Sequence, residues 1–374
     1  MATRDLHARR DEGIEGSKKT MSDNPKRLDA DQLLDGVRLL IIGGTGFLGK
    51  IFWAMMLDRY PQVGKIYLVV RSKKNETSEQ RFWNSVAPNG SLTTLRERYG
   101  DQFEAFLREK IVPIDGDVGR AECGIDPTLI SSLKGTIDAV VNVAGVVDFN
   151  PPLDEAIDAN AFGAMNLISL ARKLGDTPIF HTSTCYVAGS RVGPIYEVDP
   201  CDVPFPRAAD LGAEAWSPER EVSECLELVA QARKRLNDAF RQSEFEEKAR
   251  ENLRRKGEPL HGKVFDEELA NVRRKFINER LIEAGLDRAN HWGWPNIYTY
   301  TKSIGEQLIS KSGLPFTITR PACSESCSRF PSPVGTRAST PQRRSSSSRS
   351  WAPSSFREET FRSILSLPTW CARG

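Results

Sequence analysis

The stretch WGWPNIYTYTKSIGEQ, residues 292–307, places Tyr298 four residues before Lys302, with Tyr300 midway between them. On a helix, side chains four apart share a face, about 5–6 Å apart at Cβ, while side chains two apart point away from each other. Tyr298 can therefore share a pocket with the ammonium group, and Tyr300 cannot. A phenol titrates near pH 10, too high for efficient proton transfer at neutrality unless its surroundings help. A nearby cation favours the phenolate and is expected to bring the Tyr298 pKa down. A Tyr-x-x-x-Lys spacing arises often by chance, so its meaning depends on what the rest of the chain builds around it.

Gly43, Gly46 and Gly49 form G-x-x-G-x-x-G between the apolar run VRLLII and the helical pattern FLGKIFWAMMLDRY. The first glycine permits a tight turn, the second lets backbone approach a pyrophosphate, and the third lets helix pack on strand. The helix N-terminus then offers unpaired N–H groups to the diphosphate. A dinucleotide is the expected ligand, with Thr45, Phe47 and Leu48 of the same turn around it. The second apolar run, IYLVV at 66–70, is followed by Arg71, Ser72, Lys73 and Lys74, with no acid. A carboxylate there would hold free ribose hydroxyls and repel a 2′-phosphate, which a guanidinium instead receives through a bidentate fork. NADPH is the expected cofactor, with Arg71 and Lys74 at its phosphate. Asp117 and Val118 in IDGDV are expected at the adenine. The small residues of NVAG, with Asn142, Ala144 and Gly145, are expected to let backbone pass beside the cofactor. Lys302 would hold the nicotinamide ribose, and the positive ring of the oxidised cofactor would add to its pull on the phenol.

A third hydroxyl is expected at the end of the run PIFHTST. Strand alternation sends Thr182 and Thr184 one way and Ser183 the other. Thr184, nearest the carboxyl end, is the first candidate to bond a substrate carbonyl and the tyrosine, and Ser183 the second. Asn160, in DANAFGAMN, is a candidate to hold a water or backbone group in the proton relay, with a structural amide the competing reading.

Apolar runs at VRLLII, IYLVV, KIVPI, DAVVNVAG, PIFHTST and PFTITR alternate with amphipathic helical patterns. This predicts an α/β fold, a doubly wound parallel sheet of Rossmann type over residues 37–322. Between 205 and 294 a charged insertion carries apolar residues at helical spacing, Val222, Leu226, Val229, Leu236 and Phe240, then Leu269, Val272, Phe276 and Leu281. It reads as an exposed helical hairpin or lid with a solvated, mixed-charge face. Residues 1–36 have no apolar segment of a secretory signal and read as a disordered lead-in, with Met21 an alternative start.

The 52 basic and 50 acidic side chains of the 374-residue chain nearly cancel. No nucleic-acid footprint is implied, and no apolar run approaches the roughly 20 residues of a membrane span. The expected location is cytoplasmic, with peripheral membrane contact and oligomeric state left open. Seven scattered cysteines suggest reduced thiols. Cys323 and Cys327 lack further ligands at metal spacing, so no metal site is expected.

Together, GGTGFLGK, IYLVVRSKK, VVDFNPPLDEAIDANAFGAMNLI, STCYVAG and WGWPNIYTYTKSIGEQ resemble the extended short-chain dehydrogenase/reductases. They are most similar to the fatty acyl-CoA reductases of male-sterility type, a likeness covering residues 37–322. The resemblance implies NADPH-dependent reduction of a fatty acyl thioester, on coenzyme A or an acyl carrier, to an aldehyde and in many members onward to a primary alcohol. Thr184, Tyr298, Lys302 and Asn160 take the catalytic positions, and Pro321 falls among the cofactor-binding ones. The rival expectations are a sugar-nucleotide epimerase or dehydratase of the same superfamily, the thioester-reductase domain of a carboxylic acid reductase or peptide synthetase, and an inactive cofactor-binding scaffold.

After TITRPA the chain leaves the family pattern for a Ser-, Arg- and Pro-rich tail, 323–374, expected to be disordered. Codons can be chosen for SRFPSPVGTRASTPQRRSSS so that reading two nucleotides later gives IPFPGWNEGFNTAAPLVV, which resembles the family's continuation. The same shift turns FRSILSLPTWCARG into the similarly family-like PLDLVPADLVCAG. The tail is therefore expected to be out of frame, leaving apolar surface uncovered and acyl-reductase activity impaired.

Overall fold

A computed structural model describes residues 29–322, 326–327 and 334–335. Six short strands form one all-parallel sheet: β1 Leu39–Ile42, β2 Ile66–Val70, β3 Ile111–Asp115, β4 Ala139–Asn142, β5 Ile179–Thr182 and β6 Phe316–Thr319, in the order β3-β2-β1-β4-β5-β6. The order reverses between β1 and β4, so a crevice opens at their carboxyl ends. The central strands β1 and β4 are buried at every position, as their uninterrupted apolar sequences require when helices cover both faces. This is the doubly wound Rossmann-type fold that the strand–helix alternation predicts.

Each face has its own core. On one, Ile41, Leu68, Val70 and Phe180 pack with Trp53 and Leu57 of the helix Phe47–Arg59. On the other, Leu40, Ile42, Val140 and Ile179 pack against Leu167 and Leu170 of the helix Gly163–Lys173 and against Tyr300, Ile304 and Leu308 of the helix Ile297–Ser310.

The insertion is only partly the exposed hairpin that its charges suggest. Its helix Pro218–Lys234 buries Val222, Cys225, Val229 and Ala232 in the second core, beside Trp216 and Trp292. The outer helix Ala239–Lys256 and the N-terminal part of Gly262–Trp292 lie on each other through Phe245 and Phe276, while Leu226 and Phe240 stay exposed. The inner helix is captured because Glu221, in its first turn, supplies a buried carboxylate to the tyrosine helix.

The expected disordered lead-in ends earlier than position 36. Residues Ala30–Leu34 form a helical turn capped by the Asp29 carboxylate, with Leu34 buried and the Gln62 amide donating to the Asp31 carbonyl. In the tail, Ser326–Cys327 pairs antiparallel with Val334–Gly335, a small exception to the expected absence of structure. The rest of the tail and of the lead-in, and with them the reading-frame expectation, lie outside the described residues. Among the described residues no helix is long and apolar enough to cross a membrane.

Candidate functional site

The turn after β1 is built by steric necessity. Gly43 has φ +82°, and a Cβ there would sit 2.4 Å from the Ala144 backbone nitrogen. At Gly49 a Cβ would lie 2.4 Å from the Gly43 carbonyl oxygen, so helix and turn touch only because both are glycine. Gly46 is the N-cap of Phe47–Arg59 and supplies no side-chain cap, which leaves the first-turn N–H groups, Phe47 and Leu48 among them, free for an anion. Sequence reasoning passed over two supports. Gly44 has no room for a Cβ against Leu68, and the buried Trp53 indole donates to the Gly44 carbonyl at 2.9 Å. The doubled glycine was visible in the sequence; the tryptophan nine residues on carried no signal.

A cleft of about 320 Å3 runs from this turn past the end of β2, lined by Gly43, Thr45, Arg71, Asp117, Val118 and Ala144 among others. Arg71 and Asp117 meet across it at 3.7 Å. Lys74 is not at the cleft: Lys73 and Glu76 exchange backbone hydrogen bonds in a tight turn that carries Lys74 away and leaves Lys73 on the wall. Arg81 joins it from the helix Ser78–Arg81, anchored by donating to the Arg71 carbonyl at 2.6 Å. Sequence spacing gave no warning of Arg81, because the capping box of Thr77 and Gln80 that orients its helix lies in an unremarkable loop.

Asn142 does not present its side chain to the cleft. Its oxygen accepts from the Ala144 N–H at 3.0 Å and its amide nitrogen meets His181 at 3.1 Å, beneath the floor. Gly145 matters for closeness: a Cβ there would be 2.7 Å from Lys302 Nζ and 3.7 Å from Asn160 Oδ1, so the three converge. Pro321, just beyond β6, accepts from the Cys185 N–H at 3.1 Å and lies by the hydroxyl end of the site rather than along the nucleotide cleft.

The helix carrying the tyrosine starts at Ile297, capped by Asn296 Oδ1 on the Thr299 N–H at 2.9 Å. The Tyr298 N–H donates to the Phe149 carbonyl at 3.0 Å, and the two rings meet edge to face. Thr184, two residues beyond β5 and in extended conformation, caps the turn Cys185–Ala188, and its hydroxyl lies close enough to the Tyr298 phenol to favour the phenolate. Ser183, the second candidate, has a buried hydroxyl without a partner. Lys302 is buried and donates from Nζ to the Thr182 carbonyl at 3.1 Å.

The charge states run against one expectation. Burial raises the Tyr298 pKa, and Thr184 only partly opposes it, so the protein alone does not pull this phenol down. The same burial lowers Lys302 to about 8, opposed by Glu306. Both groups are pushed towards their neutral forms because desolvation penalises whichever form carries charge.

Tyr300 faces the insertion helix, away from the Lys302 contact. It is fully buried, donates to the Glu221 carboxylate and lies 3.0 Å from Cys225 Sγ. Glu221 also takes a two-pronged contact from Arg288, at 2.5 and 2.6 Å, and the Trp292 indole N–H at 3.0 Å. Asn160 sits on a π-type turn, Asp158–Phe162, with its amide donating to Thr301 Oγ1 at 2.9 Å and its oxygen buried and unpartnered. Gly305 lets the tyrosine helix approach to within 2.6 Å, Cβ position to the Asn160 carbonyl, another contact that spacing did not disclose. Among the described residues no group of three His, Cys, Asp or Glu side chains could hold a metal, and Cys123, Cys185, Cys201 and Cys225 are free thiols.

The segment that carries the glycine turn and the Tyr–Lys pair matches a known profile, that of the NAD-binding male sterility proteins, over residues 41–335. The chain belongs to the male sterility protein family. The match runs past Ala322, beyond the limit the motifs suggest. Curated relatives include the alcohol-forming fatty acyl-CoA reductase of Simmondsia chinensis, 30% identical over 81% of this chain and 54% of that protein. Fatty acyl-CoA reductase 1 of Arabidopsis thaliana is 31% identical with the same two coverages. The chain thus spans about half the length of the curated relatives it matches. Among solved structures, the terminal R domain of a myxalamid PKS-NRPS pathway is 22% identical over 79% of this chain and 51% of that one, with a TM-score of 0.45. Membership in this family gives the chain a nicotinamide cofactor as its ligand class.

Proposed function

We propose that this site binds NADPH and reduces an acyl thioester to an aldehyde. The observation that carries the reading is the meeting of Tyr298 with Thr184, and of Lys302 with Gly145 and Thr182, at the end of the crevice whose other end is the glycine turn. The residues fit the cofactor: the turn is closed to any side chain at Gly43 and Gly49, and its helix end is uncapped. Arg71, Lys73 and Arg81 form a basic rim with no acid contributed by the end of β2, which favours a 2′-phosphate over a bare ribose. Asp117, 3.7 Å from Arg71, orients that guanidinium and leaves its remaining N–H groups to the phosphate.

When bound, NADPH supplies a hydride to the thioester carbonyl carbon. Tyr298 and Thr184 donate hydrogen bonds to the carbonyl oxygen, on which negative charge then collects, and their position in a partly dry cleft strengthens that stabilisation. Burial keeps the Tyr298 phenol protonated and ready to donate. Lys302, tethered to the Thr182 carbonyl, places its remaining N–H groups beside Gly145, where a ribose hydroxyl would lie. The carbon–oxygen double bond re-forms, the carbon–sulfur bond breaks, and the sulfur leaves with a proton as thiol. Thioester, NADPH and one proton become aldehyde, thiol and NADP+. A fatty acyl-CoA as the thioester, and an onward reduction to alcohol, are the readings that the name of the Simmondsia relative supports.

The test follows NADPH oxidation with palmitoyl-CoA, with a sugar nucleotide, and with neither, and counts NADPH consumed per thiol released. Oxidation confined to the thioester arm is expected, weak in this chain and full in one extended to the relatives' length, with one equivalent for aldehyde or two for alcohol. Oxidation with the sugar nucleotide alone overturns the reading. So does an absence of thioester turnover in a chain extended to the relatives' full length.

A further inference from the structure

His181 lies on β5 beside Asn142 of β4, the two paired in register and buried between the sheet and its covering helices. Their contact fixes the imidazole's proton. The Ala144 backbone N–H can only donate, so the Asn142 oxygen must face it and the Asn142 NH2 must face His181. His181 Nδ1 is then an acceptor, and the neutral ring carries its hydrogen on Nε2, which is buried and unpartnered. An imidazolium would set N–H against N–H at this contact. Burial, and then the charge of Lys302, hold the ring neutral.

Ala144 is the wall against which the glycine turn closes, with no room for even a methyl group at Gly43. The Asn142 amide is therefore a bracket: one end fixes the Ala144 N–H, and the other is held, among the described residues, by His181 alone. We infer that His181 is a positioning residue, setting the Asn142–Ala144 wall of the dinucleotide cradle through Nδ1 alone. It touches neither cofactor nor substrate, and its Nε2–H contributes nothing to the bracket. This rests on the NADPH reading of the cleft.

Two substitutions separate the ring nitrogens. In His181→Asn the amide oxygen falls near the place of Nδ1, and in His181→Gln near that of Nε2. His181→Asn should bind NADPH within about twofold of the unaltered chain, by fluorescence titration. His181→Gln and His181→Leu leave the Asn142 amide unpaired in the core, and should bind about tenfold more weakly or worse, raising the NADPH KM more than they lower kcat. Equal losses in the Asn and Gln variants, or no loss in any, overturn the inference. A reading independent of ligand uses 15N-histidine labelling, with the His181 signals identified by their disappearance in His181→Asn. The Nε2–H tautomer is expected at neutral pH, and an Nδ1–H tautomer or imidazolium overturns the inference. If the unaltered chain binds no NADPH while the tautomer is as stated, the cofactor reading fails and the bracket stands.

Discussion

Tyr298 and Lys302 share one helix, and desolvation drives both towards neutrality, which for one means keeping a proton and for the other losing it. Tyr298→Phe removes the proposed proton donor and leaves the ring's contact with Phe149. Its kcat with an acyl thioester should fall by about 100-fold or more, while NADPH binding by titration stays near that of the unaltered chain. Lys302 gives a pH signature in stability. Its folded pKa of about 8 lies below the ordinary 10.5, so between those values the unfolded chain holds a proton that the folded chain has released. Stability from this group therefore rises as pH rises through the window from about 8 to 10.5, and below about 8 its burial penalty is constant. Lys302→Met should flatten that rise in urea unfolding curves compared with the unaltered chain. An identical slope in both proteins would contradict the burial of the ammonium group.

The glycine turn and the inner insertion helix are the two elements on which the site leans. Gly43→Ala forces a side chain onto a positive φ and into the Ala144 backbone, and is expected to cost about 2 kcal/mol or more in chemical denaturation and to abolish NADPH binding. Glu221→Ala leaves Arg288 with the more exposed Glu224 alone and the buried Tyr300 hydroxyl with Cys225 Sγ alone. A loss of about 3 kcal/mol is expected in the same experiment, with the Trp216 and Trp292 environment altered in near-ultraviolet circular dichroism. The sequence showed much of the frame, because its signals are local. Two-sided burial makes strands uniformly apolar, glycines mark backbone contacts, and four-residue spacing separates Tyr298 from Tyr300. What it hid depends on long-range partners. Glu221 looks like any acidic residue in a first helical turn until Tyr300, Arg288 and Trp292 surround it. Lys73 and Lys74 are equivalent on paper, and only the turn to Glu76 chooses between them. The inner insertion helix reads as solvated because its charges are countable and its contacts are not.

Across the whole molecule, exposed apolar side chains gather on loops beside the Tyr298 and Thr184 end of the crevice: Val147, Phe149, Tyr186, Val192, Ile195 and Tyr196. Such a surface should bind an apolar dye, and replacing Val192 and Tyr196 with serine should reduce dye fluorescence and self-association in light scattering without weakening NADPH binding. The outer hairpin is joined by the exposed segment 257–261, so brief trypsin treatment should cut after Lys256 while the fragments co-elute and still bind NADPH. The strand order has a further consequence, in time rather than space. The Arg38 N–H is matched to a carboxylate 100 residues later, and Lys302 to a carbonyl 120 residues earlier. On a chain emerging from the ribosome, the phosphate cradle cannot close until β4 has been made, and the lysine reaches its carbonyl only once residue 302 has followed. The two halves of the crevice are thus completed in succession, nucleotide end first, and a nascent chain halted between them should already retain NADPH while having no means of using it.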